Sequence, residues 1–176
     1  MSHDKPRGPQ ACLAESSIPG FISQGIGRDP ESHGYHCPDG QYKGRPYSAA
    51  VDITISGLTK IDGLTGAQKG QFCELLKKLR NCGFAAWFRY NGETGDTTEN
   101  EIHLIDPSLP CIKDQLVGQL RNYIRHKYGQ GGGKGYGTKD PCGLANNRGA
   151  LLLRYGAPVT PGYVDPWGNP CKRPTL

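Results

Sequence analysis

The sequence predicts an α+β domain: a small antiparallel sheet with helices packed on one face, joined by long irregular loops. Three observations predict it. Short apolar runs with strand character flank a segment whose apolar residues recur at helical spacing. A second helical pattern follows the last strand. The 176 residues include 26 glycines and 14 prolines, roughly 23% together against ~12% in an average chain, so much of the length is expected in turns and loops.

Residues 1–48 are dominated by Pro, Gly, Ser and His with isolated apolar positions, and read as irregular. Val51-Asp-Ile-Thr-Ile55 is a β-branched run of alternating character, a short strand. Thr65-Gly-Ala-Gln68 has the spacing of a capping box. Behind it Phe72, Leu75, Leu76 and Leu79 fall on one helical face, Lys77, Lys78 and Arg80 sit in the last turn, and Gly83 supplies a stop. Phe84–Tyr90 is short and aromatic-rich, a buried strand. After a polar loop over Asn91–Asn100, Glu101–Ile105 forms another strand. Ile102 and Leu104 lie on one face of it, and Glu101, His103 and Ile105 on the other. Pro107 and Pro110 close that strand. A second helix is predicted from near Cys111 to Gly129, carrying Ile112, Leu116, Leu120, Tyr123 and Ile124 on one face.

Residues 1–128 therefore read as one domain with an irregular N-terminal loop. Residues 129–176 read as a Gly/Pro-rich extension packed on it, opening with the linker Gly129–Gly137. That glycine-rich stretch follows a helix instead of preceding one, and Gly135 stands after Lys134 where a phosphate loop needs Ser or Thr.

Composition excludes several classes. No apolar run approaches the ~18 residues of a membrane span. The net charge of +5 falls short of the dense basic stripe of a nucleic-acid binder. No membrane or nucleic-acid partner is expected, and the chain is expected to be a monomer. Seven cysteines lack any C-x-x-C pair, so up to three disulfides plus one thiol are expected, in an extracellular or periplasmic setting. The N-terminal Met1-Ser-His-Asp-Lys-Pro has no apolar core, so no signal peptide is visible. Cys73 and Cys82 lie ~13 Å apart along one helix, so each needs a partner elsewhere or, for Cys73, a buried thiol role. Cys142 and Cys171, both in the tail, are expected to pair.

Chemistry-bearing residues concentrate around the strands. Asp52 interrupts an apolar strand, and His103 shares a face with Glu101. With an upstream histidine, they would give the three N/O ligands usual for a catalytic zinc with an open fourth position. A carboxylate that is not a ligand could then accept a proton from water. On spacing alone, a surface His and a strand Asp bonded to a backbone donor, both purely structural, are the plainer reading, because two His and one Asp form no tight motif. His126, in the last turn of the second helix, reads as a dipole-stabilising residue. Cys37 beside His36 leaves a cysteine hydrolase as a further alternative.

Taken together, Tyr47-Ser-Ala-Ala-Val-Asp-Ile53, the helix, Gly83-Phe-Ala-Ala-Trp-Phe-Arg89 and Glu101-Ile-His103 resemble the zinc D-Ala-D-Ala carboxypeptidase/endopeptidase superfamily, which also contains the Hedgehog signalling domain. The resemblance covers roughly residues 32–106. It implies Zn2+ held by His36, Asp52 and His103; Glu101 stands where the family often has a catalytic His and can do the same proton work, and Glu99, two residues back and on the same strand face, is its runner-up. Arg89 would hold a substrate carboxylate or the developing oxyanion. The implied function is a zinc-dependent peptidase acting on peptidoglycan stem peptides. Arg45 occupies the place of the family's first histidine, so His36 would reach the metal only if Cys37–Arg45 form an inserted loop. The alternative is a catalytically inactive, secreted module of the same scaffold that binds a wall or a partner, with Arg45 pairing Asp52 in place of the ion.

Overall fold

The computed structural model describes residues 8–24, 38–89, 99–125, 140–145, 147–159 and 161–176. The elements, in chain order, are α1 (Pro9–Ala14), β1 (Gly20–Gln24), β2 (Gly40–Tyr42), β3 (Arg45–Tyr47), β4 (Ala50–Ile55), α2 (Gly66–Asn81), β5 (Ala85–Arg89), β6 (Glu101–Ile105), α3 (Asp114–Ile124), α4 (Arg148–Tyr155) and β7 (Tyr163–Val164). The main sheet is antiparallel with strand order β1-β4-β6-β5. This is the small-sheet α+β architecture that the sequence predicts.

Helix α2 begins at the capping box: Gln68 N donates to Thr65 Oγ1, and Thr65 N donates to Gln68 Oε1. Its apolar stripe of Phe72, Leu75, Leu76 and Leu79 is fully buried. The stripe covers the sheet face made by Ile53, Ile55, Ala86, Phe88, Ile102 and Leu104. There the Phe72 and Phe88 rings stack with centroids 4.7 Å apart. Burying four such side chains contributes roughly 6–12 kcal/mol before chain entropy is counted. The helix stops at Gly83, whose φ of +87° is open to glycine and strained for other residues.

Helices cover both faces of the sheet and not the single face expected, because the second helical segment and the C-terminal extension supply a second layer. On the second face, Leu116, Leu120 and Tyr123 of α3 and Leu151 of α4 pack on Ala50, Ala85, Trp87 and Ile105. Alternation along each strand sends one set of side chains to each layer, which is why strands buried on both sides read as near-continuous apolar runs.

The described residues among the first 48 carry more regular structure than their composition suggests. They contain α1, the edge strand β1 and the hairpin β2–β3, whose turn places Lys43 at φ 51° and Gly44 at φ 76°. The described part of the extension provides α4 and the strand β7 that pairs with β2. The resulting small sheet, β3-β2-β7, gathers Tyr42, Tyr47 and Tyr163. Tyr42 and Tyr163 stack at 4.5 Å, and Tyr47 meets Tyr163 edge-on at 5.2 Å. Helix α3 starts at Asp114 instead of Cys111. The linker Gly129–Gly137 and the boundary at residue 128 lie outside the described residues, as do Tyr90 and His126.

Three disulfides join Cys12 to Cys82, Cys73 to Cys142 and Cys111 to Cys171. Cys73 and Cys82 each reach outside α2, as their separation requires. The expected Cys142–Cys171 pair does not form, and Cys73 is not a free thiol. Cys142 is instead drawn to α2, where the buried pair Arg80–Asp140 (Nη2–Oδ2 2.5 Å) fixes the residues just before it. Cys171 follows β7 back to Cys111. Cys37 lies outside the described residues. No helix among the described residues is long and apolar enough to cross a membrane.

Candidate functional site

The sheet face beneath α3 is apolar at one end and polar at the other. Its apolar end holds Ala50, Ala85, Trp87 and Ile105. Antiparallel register then aligns Asp52 of β4 with His103 of β6, and His103 with Trp87 of β5, in one row across three strands. The next row pairs Arg89 with Glu101. Because side chains two apart along a strand share a face, the sequence 50-52, 87-89 and 101-103 brings all of these groups to one surface.

Contact within the cluster is direct. His103 Nδ1 lies 2.8 Å from Asp52 Oδ1. His103 Nε2 lies 3.2 Å from Gln119 Oε1 of α3. Arg89 Nη2 donates to Asp52 Oδ1 at 3.1 Å and pairs with Glu101 Oε1 at 2.6 Å. Asp52 is 1% exposed and His103 is 0% exposed. The Arg89 side chain, at 15%, is more open than the carboxylates it bridges. In this shielded setting the charge-assisted bonds are stronger than they would be in water.

The proton arrangement of His103 follows from its two neighbours. The Gln119 amide lies 3.2 Å from Nε2 and can either accept its hydrogen or, turned over, donate to it. Nδ1 faces a carboxylate oxygen that can only accept. A ring proton on Nδ1 therefore donates to Asp52 Oδ1, and a neutral imidazole with Gln119 donating to Nε2 accounts for both contacts. Two buried donors beside the row, Gln119 Nε2 and Trp87 Nε1, have no hydrogen-bond partner among the described residues.

Asp52, His103, Glu101 and Arg89 are thus brought together. His36 lies outside the described residues. Glu99 stands apart, before the start of β6, 3.7 Å from Lys60 Nζ at the surface. Arg45 is exposed on β3, so the guanidinium on Asp52 comes from Arg89 and not from Arg45. Sequence reasoning missed Gln119. Its signal was available, since a polar residue at 119 falls on the same helical face as Leu116, Leu120 and Tyr123.

Zinc suits part of this arrangement. Carboxylate oxygen and imidazole nitrogen are both zinc donors. A metal-ligating histidine also normally bonds an outer group through its other ring nitrogen, and Gln119 lies 3.2 Å from Nε2. The Arg89 guanidinium on the same Asp52 oxygen does not suit a cation. Among the described residues, no group of three His, Cys, Asp or Glu side chains is placed to hold a metal ion. No protein-family model, curated protein or solved structure matches the chain.

Proposed function

We propose that the chain is a secreted, disulfide-stapled zinc peptidase of the D,D-carboxypeptidase/endopeptidase type, acting on the stem peptides of peptidoglycan. The observation that carries this reading is the Asp52–His103 pair, 2.8 Å apart at the centre of the sheet with the outer ring nitrogen held by Gln119. A strand carboxylate and a strand imidazole meet at the positions where the resemblance calls for two ligands. His36 is the third ligand in this proposal.

Bound zinc would supply Lewis-acid polarisation of the scissile carbonyl and a nucleophile from water at neutral pH. The chain's own residues have separate tasks. Asp52 and His103 would hold the ion, and Gln119, 3.2 Å from His103 Nε2, would fix the ring. Glu101, on the His103 face and not a ligand, accepts the proton and returns it to the leaving amine. Metal content of the full chain, purified without chelator, tests the reading: about one equivalent of zinc is expected, and under a tenth would overturn it. His36→Ala should lose the metal.

A second reading is favoured by one observation, the Arg89 guanidinium on both Asp52 and Glu101. In this reading the cluster is a charge-balanced core network, and the domain binds a wall or a partner without catalysis. Zinc-free protein that binds peptidoglycan without shortening its peptides would decide for it.

A further inference from the structure

We propose that the surface between α3 and α4 is a groove for an extended peptide of the pattern Arg-Pro-x-Leu, carried by a partner protein, and that the chain's own residues 173–176 fill it in cis. The proposal goes beyond the zinc reading and does not depend on it.

Residues 171–176 belong to no helix or strand, yet both helices hold them. Tyr155 Oη, at the end of α4, donates to the Pro174 carbonyl at 2.6 Å, and Arg121 Nη2, on α3, donates to the Thr175 carbonyl at 2.8 Å. The helices thus read the main chain of the segment, which suits any extended peptide. Side-chain pockets then set the choice of sequence. Arg173 Nη2 donates to the carbonyls of Ala157 and Ser108 at 2.7 and 3.1 Å, with its guanidinium 5.2 Å from the centre of the Tyr155 ring. Leu176 packs against the layer of Leu116, Leu120, Tyr123 and Leu151. Arg173, Pro174 and Leu176 are half-buried, whereas Lys172 and Thr175 are exposed. Recognition therefore falls on Arg, Pro and Leu, and the residue between Pro and Leu is free.

The segment is built as a ligand is. Pro174 fixes its own φ and keeps Arg173 extended, so the pattern reaches the groove with little backbone freedom left to lose. Arg173 spends its charge on carbonyl oxygens, acceptors that the groove offers to any arginine placed there. The Cys111–Cys171 bridge anchors the segment just before Arg173, which keeps the cis copy at an effective concentration on the order of a millimolar. A partner's peptide has to displace it, so the strap is also a brake on the groove.

The experiment is fluorescence anisotropy of a fluorescein-labelled, C-terminally amidated peptide, Lys-Arg-Pro-Thr-Leu, titrated with the full chain under non-reducing conditions. Leu176→Asp unseats the cis copy and should bind the peptide at least about tenfold more tightly than wild type, whose groove is filled. Adding Arg121→Ala should weaken that binding about tenfold, as loss of one charged hydrogen bond does. The Thr175→Gln version of the peptide should bind as the parent does, and the Leu176→Asp version should not bind. Metal content should be the same in wild type and Leu176→Asp, so this test and the zinc test fail independently.

Equal binding by wild type and Leu176→Asp would overturn the proposal, as would no binding by either at about 1 mM protein. Equal binding of the parent and Leu176→Asp peptides would reduce the effect to attraction of a cationic peptide and reject it too. A mixed dimer of Leu176→Asp with wild type, seen by sedimentation while the peptide stays unbound, would make a second copy the occupant and overturn the partner. Should Leu176→Asp fail to fold, Leu176→Ala decides: about threefold tighter binding than wild type is expected, and equality rejects the proposal.

Discussion

Arg154 grips Asp106 with two nitrogens at once, Nε 2.8 Å from Oδ1 and Nη2 2.7 Å from Oδ2, while its guanidinium lies 3.9 Å from the centre of the Phe84 ring. The pair is buried and ties α4, in the C-terminal extension, to the residue that follows β6. Arg154→Met would leave Asp106 a buried charge without its fork. Urea unfolding should show a loss of about 3–5 kcal/mol, as for other buried pairs broken on one side. A loss under ~1 kcal/mol would mean that the bond is not formed in solution.

Gly83 should tolerate no side chain. A Cβ there would lie 2.8 Å from the Ala150 carbonyl oxygen and 2.8 Å from Arg154 Cβ, at a φ of +87°. Gly83→Ala should cost about 1–3 kcal/mol through backbone strain and crowding, measured as a lowered melting temperature with an unchanged circular dichroism spectrum at 20 °C.

Asp39 uses both carboxylate oxygens, Oδ2 accepting from Ala49 N at 2.7 Å and Oδ1 from Lys113 N at 2.9 Å. In Asp39→Asn one oxygen becomes an amide nitrogen facing a backbone donor, at a cost of about 1–3 kcal/mol. Burial, partly offset by these hydrogen bonds, raises the Asp39 pKa above its usual 3.8. A carboxyl with a raised folded-state pKa stabilises most when protonated, and that contribution is lost as pH rises through the folded value. The stability gap between wild type and Asp39→Asn should therefore be wider at pH 4 than at pH 7. A gap that widens toward pH 7 would contradict this.

Removing the bridge between Cys73 and Cys142 releases a loop with a sequence separation of 69. On the chain-entropy model this costs about 4 kcal/mol, so Cys73→Ser with Cys142→Ser should unfold at a markedly lower denaturant concentration. Peptide mapping without reduction should recover Cys73–Cys142 and Cys111–Cys171 fragments. A Cys142–Cys171 fragment would reject this pairing.

On the proposed function, Glu101→Gln should retain zinc while its peptidoglycan-digesting activity falls about 10²–10⁴-fold, the usual range for a proton acceptor. Glu99→Gln should stay near wild type, since Glu99 lies apart with Lys60. Full activity in Glu101→Gln would remove that residue from the chemistry.

The parts of the fold legible in the sequence were those whose signals are local. The Thr65–Gln68 box and the 72/75/76/79 stripe mark α2, and alternation over 51–55 and 101–105 marks two strands and puts His103 with Glu101. Hairpin β2–β3 and strand β7 escaped notice because they are two or three residues long and depend on partners far along the chain. Disulfide pairing escaped for the same reason. The drawing of Cys142 to α2 accompanies the Arg80–Asp140 pair, between residues 60 apart in sequence. At the site, the types and faces of Asp52 and His103 were readable. Arg89's turn inward onto two carboxylates was not, because a strand-end arginine is equally suited to solvent.

The three disulfides overlap in sequence: 12 to 82, 73 to 142, and 111 to 171. Each closed loop begins before the previous one ends, so every peptide bond from Cys12 to Cys171 is spanned by at least one bridge. A single proteolytic nick anywhere in that interval leaves its two fragments covalently joined. Limited digestion should thus split the chain on a reducing gel while the non-reduced protein keeps its full mass, a tolerance of damage that suits a protein working among proteases.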